Sequence, residues 1–260
     1  MDPVFGLQGK RALVVGGGLG IGRESARLLA AQGASIAVLD LDPARAEAMA
    51  DELRKAGKNA CAVGADMSDP AAADAAVREA ADKLGGLDIL VNIVGRNSMR
   101  TDLADIAPEQ FELLLSRNLR HHLYTSGAFT RLLRERKQGG AIVMVASVAG
   151  LVASPGLGGY AATKAALISM TKTMSAEWGP LGIRVNAVAP GVTWTDRNQW
   201  GEEVQAQARK SVPLGRIGDQ KEIARVILFL ASDLASYVTG QTVVADGGAT
   251  VVTAFDAPST

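Results

Sequence analysis

The chain has almost none of the side chains from which disulfides and metal centres are built. Cys61 is its one cysteine, and His121 and His122 are its two histidines. No internal disulfide can form, and a zinc centre of Cys and His ligands lacks donors, so no metal site is expected. Charge of one sign is not in excess either: 27 Lys and Arg face 27 Asp and Glu. There is no basic stripe of the kind that holds nucleic acid. Aromatic residues make up only 4%. No apolar run reaches the ~20 residues that span a bilayer. The opening Met-Asp-Pro-Val-Phe-Gly has neither the basic stretch nor the apolar run of a signal peptide. A cytoplasmic protein without nucleic-acid or membrane partners is the expectation.

What the chain does have is 48% apolar residues over 260 positions, enough for one large core. Apolar runs alternate with amphipathic stretches. Strands are expected at Arg11–Val15, Ser35–Asp40, Ala60–Asp66, Leu87–Asn92, Ala141–Ser147, Ile183–Ala189 and Thr242–Asp246. Helices are expected at Gly20–Gln32, Pro43–Ala56, from Asp69-Pro70, over Leu103–Lys137, around Tyr160 and Lys164, and over Gln220–Ser232. Short, wholly apolar strands separated by helices imply a parallel sheet covered on both faces. The expected fold is α/β: a Rossmann-type, doubly wound sheet of about seven strands in one domain, 1–260, with its ligand beyond the carboxyl ends of the strands. The stretch from Gly191 to Asp219 is expected to contain no strand, and 191–213 is a candidate substrate lid. The tail after Gly248 is short and polar.

Three patterns carry chemistry. Gly16-Gly-Gly-Leu-Gly20-Ile-Gly22 follows the first strand and opens the first helix. Glycine lets the backbone approach a pyrophosphate there, and the helix offers free N–H groups to it. Asp40 ends the second strand, where a carboxylate can accept both hydroxyls of an adenine ribose and repel a 2′-phosphate. No Arg or Lys lies between Gly16 and Gly22, so NAD is expected over NADP. Asp40 also has a structural reading as a helix cap, a role that Asp42 can fill. Tyr160 and Lys164 stand four residues apart, on one face if the segment is helical. A nearby ammonium favours the tyrosinate, and such a pair can take a proton from an alcohol. Ser147, at the end of the fifth strand, is expected to point into the same cleft. Asn118 falls inside an expected helix, where asparagine is unfavourable. His121 and His122, adjacent on that helix, point in different directions and read as packing or interface residues.

In combination these patterns resemble the short-chain dehydrogenase/reductase family, from Lys10 to Gly248. The family's Thr-Gly-x-x-x-Gly-x-Gly falls on Val15 to Gly22, its Asn-Asn-Ala-Gly on Asn92-Ile93-Val94-Gly95, and its Pro-Gly on Pro190-Gly191. Val15, Ile93 and Val94 depart from the family residues, which costs polar ties beside the cofactor. The resemblance implies a catalytic set of Asn118, Ser147, Tyr160 and Lys164. It implies NAD held by Gly16, Gly20, Ile21, Gly22, Asp40, Leu41, Asp66, Met67, Asn92, Gly95, Tyr160, Lys164, Pro190, Gly191 and Thr195. Substrate contacts are expected at Ser147, Tyr160, Val148 and Trp194, with Leu151, Val152, Trp200, Arg96, Arg100 and Arg197 around them. The implied activity is hydride transfer between a secondary alcohol and NAD, giving a ketone, in a homotetramer. The alternatives are an NADP-dependent carbonyl or 3-oxoacyl reductase, and a non-catalytic dinucleotide-binding protein.

Overall fold

The computed structural model describes residues 4–95, 100–196 and 200–251. Arg96 and Arg197, and the tail beyond residue 251, lie outside the described residues. Seven parallel strands form one sheet: β1 (Arg11–Val15), β2 (Ser35–Asp40), β3 (Ala60–Gly64), β4 (Ile89–Asn92), β5 (Gly140–Val145), β6 (Ile183–Pro190) and, last in the chain, a strand at Thr242–Ala245. Their spatial order is β3-β2-β1-β4-β5-β6 and then the last strand. The order reverses between β1 and β4, which opens a crevice at the carboxyl ends of those strands.

Both faces of this sheet are dry. Leu13 and Val15 point to one side with Leu39, Leu90, Ile142 and Met144. Ala12 and Val14 point to the other with Ile36, Val38, Val91 and Val143. This alternation, with no polar face, is why the strands read as continuous apolar runs. The first side is covered by helices α3 (Pro70–Leu84), α5 (His121–Glu135) and α6 (Gly158–Trp178). The second is covered by α1 (Gly20–Ala31), α2 (Pro43–Lys55) and α8 (Gln220–Ala231). Side-chain caps start three of these helices: Asp42 accepts from the Ala44 N–H at 3.0 Å, Asp69 from Ala72 at 2.7 Å, and Asp219 from Lys221 at 2.8 Å. Each fills part of the unmet hydrogen-bonding need of a helix start. Asp42 therefore carries the cap that Asp40 had been an alternative for.

Three expectations need correction. The third strand stops at Gly64, so Asp66 lies in the loop beyond it and accepts from the Ser68 N–H at 2.9 Å and its hydroxyl at 2.7 Å. The long helix over Leu103–Lys137 begins only at Pro108, as α4 (Pro108–Leu115). Proline is pre-set for the first helical position and ends nothing there. A π-helical turn, Ser116–Arg120, then joins α4 to α5. Finally, 191–219 is not free of strand. Thr193–Trp194 (β7) pairs in parallel with Gly218–Asp219 (β8), and α7 (Glu202–Ser211) lies between them. A two-residue ladder is too short to show any period in the sequence. The strand at Thr242–Ala245 is thus β9.

Candidate active site

The glycine turn fixes where β1 hands over to α1. Gly16 has φ +77° and Gly20 φ +57°, a left-handed backbone that side-chained residues resist. A Cβ on Gly22 would lie 2.0 Å from the Gly16 carbonyl oxygen, so only glycine closes this turn. Above Gly20, the nearest atoms a Cβ would meet are Gln220 Oε1 and Thr195 Cβ, both at 3.7 Å. Both lie at ordinary van der Waals distance. Asp40 is buried at the end of β2. Its Oδ2 accepts from the Gly18 N–H at 3.3 Å and its Oδ1 from Asp42 at 3.1 Å. Leu41 beside it is exposed. Arg45, one turn into α2, brings Nη1 to 3.8 Å from Asp40 Oδ1 and Nε to 3.1 Å from Asp42 Oδ2. No basic residue lies within the glycine turn, but one stands beside its acid.

On the far side of the crevice, Gly150 does the positioning. A Cβ there would lie 2.7 Å from both Ala165 N and Lys164 C. Its absence lets the 3₁₀ turn Val148–Gly150 rest directly on the backbone of α6. Ser147 caps that turn, accepting from the Ala149 N–H at 3.2 Å. Its hydroxyl is thereby held against Tyr160, to which it is hydrogen-bonded. Lys164 is buried, donates to the Val145 carbonyl at 2.8 Å, and lies 5.8 Å from the centre of the Tyr160 ring. A Cβ on Gly95 would meet Lys164 Nζ at 2.8 Å and Asn118 Oδ1 at 3.3 Å, so these three residues converge. Asn118 is fully buried in the π turn, its amide donating to the Leu114 carbonyl at 3.0 Å. A π turn adds a residue to the helix and re-aims the side chain it carries, a feature common at functional sites.

Electrostatics depart from expectation. Burial pushes the Tyr160 phenol up from its ordinary value, and the Ser147 hydrogen bond opposes that rise. Lys164 is not among the groups that move it, so the expected lowering by the ammonium is not found. Burial instead brings Lys164 itself down to about 7. His121 is brought down to about 3 by burial and by the Lys164 charge. It is a neutral imidazole whose Nε2 lies 3.0 Å from the Val94 carbonyl oxygen. His122 is also pushed down, again chiefly by burial. The two rings do not diverge: their centroids are 4.2 Å apart at a 40° tilt, and both are buried. They are core residues behind the site, and His121 ties the Val94 loop to the π turn where Ile93 and Val94 supply no polar side chain.

The remaining expected residues divide. Asn92 is buried at the end of β4, and neither its amide nitrogen nor its oxygen has a hydrogen-bond partner among the described residues. Pro190 ends β6, and a Cβ on Gly191, the next residue, would meet Asp246 Cβ at 2.7 Å. Met67 is buried beyond the end of β3, while Asp66 is exposed, its carboxyl held low by Ser68. Trp194 is partly exposed on β7, and Trp200 folds back to donate from Nε1 to the Thr193 carbonyl at 2.9 Å. Leu151 and Val152 are exposed beyond the 3₁₀ turn. Among the described residues no cluster of His, Cys, Asp and Glu has the form of a metal site. No described helix is long and apolar enough to cross a membrane.

A parallel sheet with a glycine turn at its switch point, and a Ser-Tyr-Lys cluster across the crevice, defines a dinucleotide-dependent oxidoreductase of the doubly wound class. A family model described as enoyl-(acyl carrier protein) reductase matches residues 17–250. The oxidoreductase UcpA of Escherichia coli (strain K12) is 38% identical over 255 residues, 94% of this chain and 96% of that protein. L-rhamnose 1-dehydrogenase (NAD(P)(+)) of Azotobacter vinelandii is 37% identical over 92% of this chain and 96% of that one. The crystal structure of a short-chain type dehydrogenase/reductase from Mycobacterium marinum superposes with a TM-score of 0.90 at 32% identity, covering 96% of this chain and 99% of the other. The chain belongs to the short-chain dehydrogenase/reductase family, whose members are oxidoreductases that bind NAD or NADP.

Proposed function

We propose that the protein is an NAD-preferring dehydrogenase that interconverts a secondary alcohol and a ketone. The observation that carries this reading is the Ser147-Tyr160-Lys164 cluster facing a glycine cradle across one crevice. The residues present fit the dinucleotide. Gly16 and Gly20 give the turn its left-handed backbone, Gly22 admits no side chain, and the orphaned Asn92 amide offers buried donors and acceptors at the end of β4. Gly16, Gly20, Ile21 and Gly22 would hold the pyrophosphate, Asp40 and Leu41 the adenine ribose, and Asp66 and Met67 the adenine. Asn92, Gly95, Lys164, Pro190, Gly191 and Thr195 would surround the nicotinamide riboside. When bound, the dinucleotide supplies the hydride acceptor or donor.

The chain's own residues then handle the oxygen and its proton. Ser147 donates its hydroxyl to the substrate oxygen, beside Val148 and Trp194. Tyr160 takes the proton from the alcohol, or returns it to the ketone oxygen. Lys164 binds ribose hydroxyls; only with the dinucleotide bound would its charge also favour the tyrosinate. Asn118 holds the outer end of the proton path at the π turn.

Use of NADP is the second reading, and Arg45 favours it. A guanidinium beside the ribose site can meet a 2′-phosphate by a charge-assisted hydrogen bond. The name of the Azotobacter relative covers both cofactors. Titration with NADH and NADPH, followed by turnover of a panel of secondary alcohols and ketones with the better cofactor, tests both readings. Absence of any dinucleotide binding would leave only a non-enzymatic role, and binding without any turnover the scaffold reading.

A further inference from the structure

Asp196 follows β7, far along the chain from the glycine turn, yet its carboxylate lies in that turn. Its Oδ2 accepts from the Gly20 N–H at 3.0 Å and pairs with Arg23 Nη2 at 2.8 Å. Gly20 is the first residue of α1, and Arg23 lies in its first turn. The end of a helix that carries partial positive charge, with an arginine beside it, therefore already holds an anion. That anion belongs to the chain itself. Arg23 Nε is buried with no hydrogen-bond partner among the described residues; Glu24 approaches it only to 3.9 Å. The guanidinium, on a side chain 27% exposed, has donor capacity beyond the Nη2 contact to Asp196.

We infer that Arg23 is a pyrophosphate-binding residue and that Asp196 is an internal competitor which must leave Gly20 and Arg23 before the pyrophosphate can sit there. This rests on the dinucleotide reading above. One carboxylate oxygen and a phosphate oxygen cannot occupy the same N–H, and two anions in one cradle repel. Displacement of Asp196 also has a mechanical consequence. Asp196 is two residues past Trp194, the last residue of β7, which anchors the base of the segment carrying α7. Dinucleotide binding thereby releases one tether of the segment beside the substrate pocket.

Asp196→Asn keeps the size of the side chain and removes its charge. It is expected to bind NADH about three- to tenfold more tightly than the wild type, the order expected for a partly exposed charge pair at a helix start. ADP-ribose, which has the pyrophosphate but no nicotinamide, should gain equally. Adenosine, which has no phosphate, should not gain. Arg23→Gln should weaken NADH and ADP-ribose by a similar factor and leave adenosine alone. Asp196→Ser, too short to hold both contacts, should move NADH in the same direction as the asparagine. A second readout is free of cofactor: part of the tryptophan emission change that ADP-ribose causes in the wild type should already be present in Asp196→Asn. Unchanged or weaker NADH binding by both Asp196 variants overturns the inference, as does an equal gain for adenosine. A wild-type chain that binds no dinucleotide at all overturns the proposed function instead, so the two failures are distinguishable.

Discussion

Arg45 Nη1 stands 3.8 Å from Asp40 Oδ1 at the end of β2, so the acid read as an NAD determinant has a cation beside it. The two have opposite consequences for a 2′-phosphate. Asp40 is buried and already accepts two backbone N–H groups, while Arg45 is partly exposed and able to reorient. Asp40→Ala is expected to improve NADPH binding about tenfold, roughly 1.4 kcal/mol, by removing the repulsion and freeing Arg45. Asp40→Ala with Arg45→Ala should lose most of that gain. Arg45→Ala alone should sharpen the preference for NADH. Fluorescence titration of the four proteins with both reduced cofactors measures this, and a double variant that kept the whole gain would remove Arg45 from the account.

Lys164 should cost the fold stability that its chemistry requires. Its folded value is about 7 against an ordinary 10.5, lowered by burial. Between those values the unfolded chain binds the proton and the folded chain does not, so this group makes stability rise with pH from about 7 to about 10.5. Below 7 the cost is fully present, roughly 3–5 kcal/mol at 1.36 kcal/mol per pH unit. Lys164→Met, inactive by the mechanism above, should therefore melt higher than the wild type at pH 6. The difference should shrink towards pH 10. Thermal melts across that range give the answer, and a variant that melted lower at pH 6 would refute the assignment.

How much of this was legible in the sequence follows from which contacts are local. Strands such as Arg11–Val15 announce themselves because both their faces are buried, and Gly22 because its position admits no side chain. Tyr160 and Lys164 are one helical turn apart, so their spacing alone joins them. The π turn at Ser116–Arg120 was not legible: its extra residue leaves no mark on the apolar period, and only the ill-suited Asn118 hinted at it. Arg45 is five residues from Asp40, but nothing in that spacing says a side chain on α2 turns back to the strand end. Asp196 lies 176 residues from Gly20, a pairing that only the folded chain makes. The phenol's upward shift depends on burial, which the residue pattern did not reveal.

The segment 191–213 is expected to cover the substrate. It is held at its base by the β7–β8 ladder and by the Leu214 N–H, which donates to the Gly247 carbonyl at 3.1 Å. Between these anchors, α7 buries only Ala208. An element with so little burial is drawn from the low-stability end of a fold. Limited proteolysis should cut within it, and cofactor with substrate should slow that cleavage. Equal cleavage with and without both ligands would count against a lid.

A homotetramer is expected. β9 is one of the two edges of the sheet, β3 being the other, with Val244 exposed on it and Leu234 and Tyr237 exposed just before it. Leu123 is exposed on a second surface, α5. Unpaired strand edges and apolar helix faces are commonly closed by two-fold symmetry. Light scattering at micromolar concentration should give four times the 26.9 kDa chain mass. A monomer mass would dispose of the idea, and a dimer would leave one of the two surfaces unused.

Tyr160→Phe tests the base itself. The substitution keeps the ring, and with it the packing at the start of α6, but removes the one hydroxyl that Ser147 holds at the reacting oxygen. Loss of proton transfer should lower turnover at least ~10²–10⁴-fold. Dinucleotide affinity should change little, since the phenol touches neither pyrophosphate nor adenosine. Lys164→Ala should lower both turnover and affinity, because its ammonium serves the ribose as well. The sign of the pH dependence also follows. Oxidation needs the phenolate, which accumulates above the phenol's pKa, so the wild-type oxidation rate should climb with pH and ketone reduction should fall. Burial alone holds that pKa above its ordinary value. A midpoint below 10 with dinucleotide bound would therefore measure how far the filled site reverses the effect of burial. In Tyr160→Phe the titration should vanish. Near-normal turnover by that variant on a verified substrate would mean that another group carries the proton.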